Sequence, residues 1–246
     1  MTISTVIEYL NQDKGLSLSS AYYANIEEWQ SWWRGYNGGF HKYTERVGDR
    51  SVTRQLFSLR MAKKICEDWA AILLNEKTNF EISDGYSKDS AIFVQGEDGT
   101  GGVLGENYFW QHGNALVEKA FALGTGAFVL KFNGMRTNGE RIIPDKNTKI
   151  HIDYLTALQI IPLSVQRGKI TEVAFVSEVT VKGRPYIYLE THEMVNGGYQ
   201  ITNEYFLMDN GRLVKQPLPE SIVERFNTGA DIPLFAIFSP NIVNTY

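Results

Sequence analysis

The sequence contains few of the residues that mark several common classes of protein. It has one cysteine, Cys66, in 246 residues, so neither an internal disulfide nor a thiolate zinc site is expected. Lys and Arg number 24 against 28 Asp and Glu, which leaves a net charge of -4. Its apolar runs, such as residues 70–74, are much shorter than the roughly 20 residues that a membrane-spanning helix needs. We therefore expect a soluble cytoplasmic protein, with no membrane contact, whose overall charge does not favour nucleic acid.

Apolar and aromatic residues are plentiful, at 43% and 13% of the chain, which is enough for a folded core. In the first third, apolar positions recur at steps of three and four residues, a spacing that favours helices. The spacing predicts one helix after Ser20 that ends at Gly35, and a longer helix over residues 52–75. A third helix is predicted to run from Asn107 to the stop signal at Gly124.

The second half of the chain changes to β-type runs. Asn-Gly pairs, which favour tight hairpin turns, begin at residues 133, 138, 196 and 210. The clearest strands are predicted at 170–181, 185–194 and 199–207, and short connections make neighbouring strands antiparallel. The predicted class is α+β, with N-terminal helices followed by a mainly antiparallel β region. We divide the chain into a helical region, 1–80, and an α+β domain, 81–246.

The segment between these regions is rich in Gly, Asp and Ser. A short strand is predicted at 80–82, and residues 84–105 are predicted to form a hairpin or long loop with one strand-like stretch at 91–95. Residues 96–105 resemble a phosphate-binding loop but lack the Lys-Ser/Thr pair of a Walker A motif and the Gly-x-Gly-x-x-Gly spacing. A flexible surface loop is the preferred interpretation.

No set of residues for catalysis is evident. His192-Glu193 lacks the second histidine of a helical zinc-protease motif, and His151 and Asp153 share one strand face without a third metal ligand. Cys66 falls in an apolar helical stripe, where packing is the ordinary role of a cysteine. We therefore predict a protein that is not an enzyme and binds no cofactor or metal.

A basic segment lies between residues 41 and 64, where seven Lys and Arg meet two acidic residues. If this segment is helical throughout, Arg46, Arg50 and Arg54 form a ridge that can touch phosphates or an acidic protein surface. Gly48 weakens such a helix. The alternative is a solvated basic face that pairs with Glu45 and Asp49.

Tryptophans form the second candidate contact surface. Trp29, Trp32 and Trp33 lie on one predicted helix, but Trp32 and Trp33 point about 100° apart and so cannot both face one core. Trp69 belongs to the broad apolar stripe of the next predicted helix. We expect these four residues to be buried partly against another element or another subunit, rather than to form a platform for a sugar or base.

The order of these motifs resembles one protein family. The pattern Trp29-x-x-Trp32-Trp33-x-Gly35, followed by a basic turn and the stretch 62–76, is similar to the N-terminal part of portal proteins of tailed bacteriophages of Gram-positive hosts. The segment 118–128, a helix that ends in a Gly-rich turn before a strand, and the closing stretch 233–244 resemble later parts of the same pattern. The matches are short but extend over nearly the whole chain.

The resemblance implies a structural subunit that forms a ring, usually of twelve copies, at one vertex of the virion capsid. Double-stranded DNA passes through such a ring, without sequence specificity, during packaging and ejection. The ring binds terminase, scaffolding, capsid and head completion proteins, and it is assembled in the host cytoplasm. The long helices of the stem, clip and crown have no counterpart here, so the chain would represent the N-terminal helices and an incomplete wing domain.

The residues alone are also compatible with two other hypotheses. The chain could be another phage-encoded module in which the tryptophans and the Gly-rich segment contact a host partner. It could also be an enzyme of an unrecognised class. A gene position beside the large terminase gene would favour the portal, whereas activity that falls on mutation of His151 or His192 would favour the enzyme.

Overall fold

Helices precede strands along the chain, and the α+β class predicted from the periodicity is confirmed. The computed structural model describes residues 2–78, 80, 88–97, 101–143, 145 and 147–240. Within these ranges the helices are α1 (Thr2–Asp13), α2 (Ala21–Trp33), α3 (Gly38–His41), α4 (Met61–Leu73), α5 (Lys88–Gln95), α6 (Gly102–Glu106) and α7 (Phe109–Leu123).

The strands of the same ranges form three sheets. They are β1 (Lys42–Val47), β2 (Arg50–Gln55), β3 (Gly126–Asn133), β4 (Arg136–Asn138), β5 (Arg141–Ile143), β6 (Lys149–Thr156), β7 (Ile160–Gln166), β8 (Lys169–Val181), β9 (Arg184–Val195), β10 (Gly198–Asp209), β11 (Arg212–Gln216), β12 (Arg225–Asn227) and β13 (Phe235–Phe238). A large sheet has the order β4-β5-β12-β10-β9-β8-β7, with β11 also on β10. A small sheet has the order β13-β3-β6, and β1 and β2 pair only with each other. All strand pairs are antiparallel except β5–β12.

Tight turns set the register of the large sheet. The Asn196-Gly197 and Asn210-Gly211 pairs both adopt positive φ between paired strands, so these two predicted hairpins are confirmed. Two more hairpins turn in the same way at residues 167–168 and 182–183, where Arg and Lys precede Gly. The turn at 182–183 falls in the short connection predicted between the strands 170–181 and 185–194, whereas the turn at 167–168 follows a strand that was not among those predicted.

The two faces of the large sheet are covered by different layers. On one face, Ile187, Leu189 and Phe206 form a core with α1 and α2, which contribute Val6 and Ile26 among others. The opposite face packs against the small sheet, and that core includes Val129, Leu155, Val173, Phe175 and Phe235. The small sheet is covered in turn by α7, and α4 lies against α7. The layers are thus helices, large sheet, small sheet and helices, and α2 also contacts α4 and α7, so it joins the helices of the two sides.

Two predictions about local structure are corrected. The helix predicted over 52–75 begins only at Met61, because residues 50–55 form β2. The residues at 51–53, Ser-Val-Thr, suit an extended strand, and Gly48 at φ 63° makes the turn from β1. The stretch 91–95, predicted as a strand, belongs to α5.

The other predictions for the first half have mixed outcomes. The helices predicted after Ser20 and before Gly124 are confirmed as α2 and α7, and Gly124 ends α7 at φ 85°. Phe80 is not in a strand, and residues 81–82 lie outside the described residues. The predicted loop 84–105 contains α5 and α6, while 84–87 and 98–100 lie outside the described residues. The boundary at residue 80 stays a prediction.

Candidate functional site

The three tryptophans of α2 line one surface groove. The groove has a volume of about 540 Å³ and runs between α2, α4 and the end of α7. Trp29, Trp32 and Trp33 form one wall, and Ile65 and Cys66 of α4 face them. We call this feature the tryptophan groove. Its lining is mainly apolar, as expected for a surface that receives another apolar group.

The tryptophans diverge as their helical spacing requires. The half-buried Trp33 donates an Nε1–H hydrogen bond to Oε1 of Glu118 on α7 at 2.9 Å, and the Lys63 Nζ lies 5.2 Å from the centroid of its ring. Trp32 is exposed, and its Nε1 lies 3.5 Å from Oε1 of Glu28, a weak contact. The Glu28 carboxylate therefore sits beside an exposed wall of the groove.

Helix α4 has a buried apolar side and, next to it, an exposed apolar side. One side, with Cys66 and Ala70, is buried against the rest of the protein. The other side exposes Met61, Ile65, Trp69 and Ile72 to solvent, and we call these four residues the open face of α4. Trp69 is 49% exposed although it stacks on Phe121 with ring centroids 5.7 Å apart. An exposed apolar surface that spans three turns of a helix usually marks an interface.

The apolar surface extends into the segment before α4. Leu56, Leu59 and Phe57 are exposed there, and Phe57 has 90% of its surface in solvent. No covering element is present among the described residues, since these side chains stay exposed with α1 to α7 and all three sheets in place. The four predicted interface tryptophans thus divide into three that line the groove and one, Trp69, on the open face.

The predicted basic ridge is wrong as a helical feature. Arg46 lies on β1, whereas Arg50 and Arg54 lie on β2. Directly paired residues of an antiparallel ladder point to the same side. Arg46 pairs with Ser51, so it points away from the face that carries Arg50 and Arg54. The three guanidinium groups therefore divide between two faces of a hairpin, and their contact with DNA or an acidic partner stays a prediction.

A second cavity, of about 490 Å³, lies between the large and small sheets. Its floor holds Lys131 of β3 and Glu190 of β9, which form an ion pair across the two sheets. The Nε2 of the fully buried His192 lies 2.7 Å from Glu190 Oε1. Tyr188 donates its hydroxyl to Asn203 Oδ1 at 2.6 Å. Glu190 was not among the residues predicted from the sequence, although its spacing of two from His192 puts both on one strand face.

The charge state of Glu190 follows from its neighbours. Burial alone would raise the pKa of this carboxyl, but the hydrogen bond with His192 and the charge of Lys131 lower it to about 2. Burial raises the pKa of the Tyr188 hydroxyl, and the adjacent Glu190 adds to the effect. Glu190 is therefore ionised and Tyr188 neutral at pH 7, and this group acts as a buried electrostatic link between the sheets.

The other residues considered for chemistry are placed as follows. His151 and Asp153 share a strand face, as predicted, with His151 Nε2 3.5 Å from Asp153 Oδ1. Within the described ranges, no three His, Cys, Asp or Glu side chains are grouped so as to hold a metal ion. Cys66 is buried, as the apolar stripe predicted, and burial raises the pKa of its thiol. A raised pKa makes a cysteine a poorer nucleophile at neutral pH.

No protein-family model matches the sequence, and a search of curated proteins finds no match either. Of the helices in the described part of the chain, none is both long and apolar enough to cross a membrane.

Proposed function

We propose that this chain is a subunit of a phage portal, the ring through which double-stranded DNA enters and leaves the capsid. The proposal starts from the resemblance of the Trp29 to Gly35 motif and the 62–76 stretch to portal proteins. The observation that carries it is the exposed apolar surface of the helical region, made up of the tryptophan groove, the open face of α4 and the segment before it.

Such a surface supports the proposal of an assembling protein, because exposed apolar side chains add no stability to a monomer but stabilise a complex that buries them. Burial of apolar surface contributes about 25 cal/mol per Å², and a stable interface of standard size buries about 800 Å² on each partner. The exposed side chains are large, and several adjoin one another along one helix: Met61, Ile65, Trp69 and Ile72. Their burial between copies would supply much of the driving force for a ring.

The role of the protein in this proposal is architectural. The central sheet has a closed core and an ion-paired interior, which suits a rigid body in a mechanical assembly. Under the portal hypothesis, the subunit binds its own copies and then the terminase, scaffolding, capsid and head completion proteins. DNA passes through the channel of the ring without recognition of its sequence.

The test is the oligomeric state of the purified chain. We expect light scattering after size exclusion to give a mass of several copies, and negative-stain microscopy to show particles with a central hole. Ile65→Asp on the open face should convert these particles to monomers, because it buries an unpaired carboxylate in each interface. A homogeneous monomer of the unaltered chain at high concentration would overturn the proposal.

The matched control is Val165→Asp. Val165 and Ile65 are similarly exposed, at 59% and 52%, but Val165 lies on β7, at the edge of the large sheet. This variant should keep the assembly, and circular dichroism should show both variants folded. Loss of assembly in both variants would mean that any added surface charge disrupts the particle, and the assignment of the interface to α4 would fail.

A further inference from the structure

The β1–β2 hairpin has no partner within the described part of the chain. Both six-residue strands are exposed at every position, and they form a sheet of two strands alone. The base is held by the Leu56 N–H, which donates to the His41 carbonyl oxygen at 2.7 Å. An isolated two-stranded hairpin is marginally stable in water. We therefore expect this 42–55 hairpin to pack on another surface.

One side of the 42–55 hairpin is suited to packing and the other is not. The pairs Tyr43–Arg54, Glu45–Val52 and Val47–Arg50 lie on one side, which thus carries the hairpin's large apolar residues. The opposite side is polar and consists of Lys42, Thr44, Arg46, Ser51, Thr53 and Gln55. We call the first side the apolar side of the hairpin.

The open face of α4 has a matching size. From Met61 to Ile72 the helix spans about 16 Å, at 1.5 Å per residue. A six-residue strand spans about 20 Å. The open face stays exposed although the hairpin belongs to the same chain, so the hairpin does not cover it within one copy. Each copy thus carries an unpaired apolar projection and an unpaired apolar receiving surface.

Charge favours the same pairing. The 42–55 hairpin has four basic residues against Glu45 and Asp49, whereas α2 has Glu27 and Glu28 and no basic residue between Ala21 and Trp33. Glu28 lies beside an exposed wall of the tryptophan groove, as its contact with Trp32 shows. Arg50 is on the apolar side of the hairpin and makes no ion pair with any described residue. A hairpin seated on α4 can place Arg50 near Glu28.

We propose that the 42–55 hairpin of one copy packs its apolar side on the open face of α4 in the next copy, with Arg50 near Glu28. This inference rests on the proposed function, since it specifies how the ring subunits join. The contact uses two different surfaces, so it is heterologous, and repetition of a heterologous contact closes into a ring when the rotation permits.

The first experiment mixes two complementary variants. In one, a Gly-Ser linker replaces residues 43–54, which removes the hairpin but leaves α4 intact. In the other, Ile65→Asp blocks the open face but leaves the hairpin. Each variant alone should be monomeric, and an equimolar mixture should form a dimer of one copy of each, because one intact contact remains. Absence of that dimer would overturn the inference.

A charge exchange tests the contact without deletion of any element. Arg50→Glu should weaken assembly by about tenfold, the effect of placing like charges at a contact. The double variant Arg50→Glu with Glu28→Arg should recover most of that loss. Arg46→Glu is the matched control, since Arg46 lies on the polar side of the same hairpin. An equal loss for Arg46→Glu and Arg50→Glu, or no recovery in the double variant, would count against the pairing.

The outcomes separate this inference from the proposed function. If the variant without the hairpin still forms rings, the hairpin contact is wrong and the portal proposal stands. If the unaltered chain is monomeric under all conditions, both fail.

Discussion

The large sheet and the helical region around α4 use similar side chains in opposite ways. Phe206 of β10 is 1% exposed, within a core shared with α1 and α2, whereas Phe57 before α4 is 90% exposed. The ion pairs of the two regions also differ in burial. Lys131 and Glu190 pair in the interior between two sheets, whereas Glu45 and Arg54 pair on the surface of the 42–55 hairpin.

This contrast indicates that the two regions differ in whether their apolar residues are buried within the chain. The sheets complete their cores with residues that the chain itself supplies, so their stability does not need a partner. The region from α2 to α4 leaves apolar groups in solvent, and in the proposed assembly another copy buries them. Substitutions in the first region should therefore change the stability of the monomer, and substitutions in the second should change assembly. Each of the next three predictions compares one residue from each region, in the Ile65→Asp background, which we expect to be monomeric.

The largest difference is expected between two phenylalanines. Phe206→Ala should lower the free energy of unfolding by about 3–5 kcal/mol, because it removes a buried ring and leaves a cavity. Phe57→Ala should change it by less than about 0.5 kcal/mol, since the ring is already in water. Urea unfolding followed by fluorescence measures both. Similar losses for the two variants would show that Phe57 is covered in the monomer and would remove the contrast.

The next difference is expected between two lysines. Lys131→Met leaves the buried Glu190 with one charged neighbour fewer, and should cost about 2–3 kcal/mol of stability. Lys63→Met removes a 3.5 Å surface pair with Glu67 and a contact with the Trp33 ring, and should cost less than about 1 kcal/mol. A stable Lys131→Met protein would mean that the link between the sheets rests on apolar packing alone.

The pH dependence of stability provides a third comparison. The pKa of Glu190 is lowered from 4.5 to about 2, so its contribution is present above pH 4.5 and is lost as the pH falls toward 2. Glu190→Gln should flatten the fall in stability across this window, as measured by urea unfolding at several pH values. Glu45→Gln should leave the fall unchanged, since Glu45 is half exposed on the hairpin. The same slope in both variants would contradict a lowered pKa of Glu190 in the folded protein.

Sequence reasoning predicted the regular parts of the fold because local patterns determine them. The strand that carries Val173 is rich in the β-branched residues that favour strands, and Asn196-Gly197 and Asn210-Gly211 fix the register of two hairpins. Reasoning from periodicity failed over 52–60 because the apolar residues there repeat at helical steps but contact no core. A spacing rule presumes that apolar residues are buried by their own chain, and this region violates that assumption.

In the candidate site, too, the sequence predicted the features set by local geometry but not the contacts between distant residues. The divergence of Trp32 and Trp33 follows from helix geometry and was predicted, as was the buried position of Cys66. The pairing of Lys131 with Glu190 was not predicted, because the two residues are 59 positions apart in the sequence and meet only when the two sheets pack. The sides on which Arg46 and Arg50 lie were known only from the observed register. A shift of one residue in the pairing would put both arginines on the same side of the hairpin.

The smallest effect is expected at the surface ion pair of the 42–55 hairpin. Arg54 Nε lies 2.6 Å from Glu45 Oε2, and both side chains are half exposed, so solvent and salt screen the pair. Arg54→Met should change monomer stability by about 0.5 kcal/mol or less, and added salt should remove that difference. Urea unfolding at low and high ionic strength measures it. A loss above about 2 kcal/mol would show that the hairpin is part of the folded core, and then its proposed role as a free projection between copies would fail.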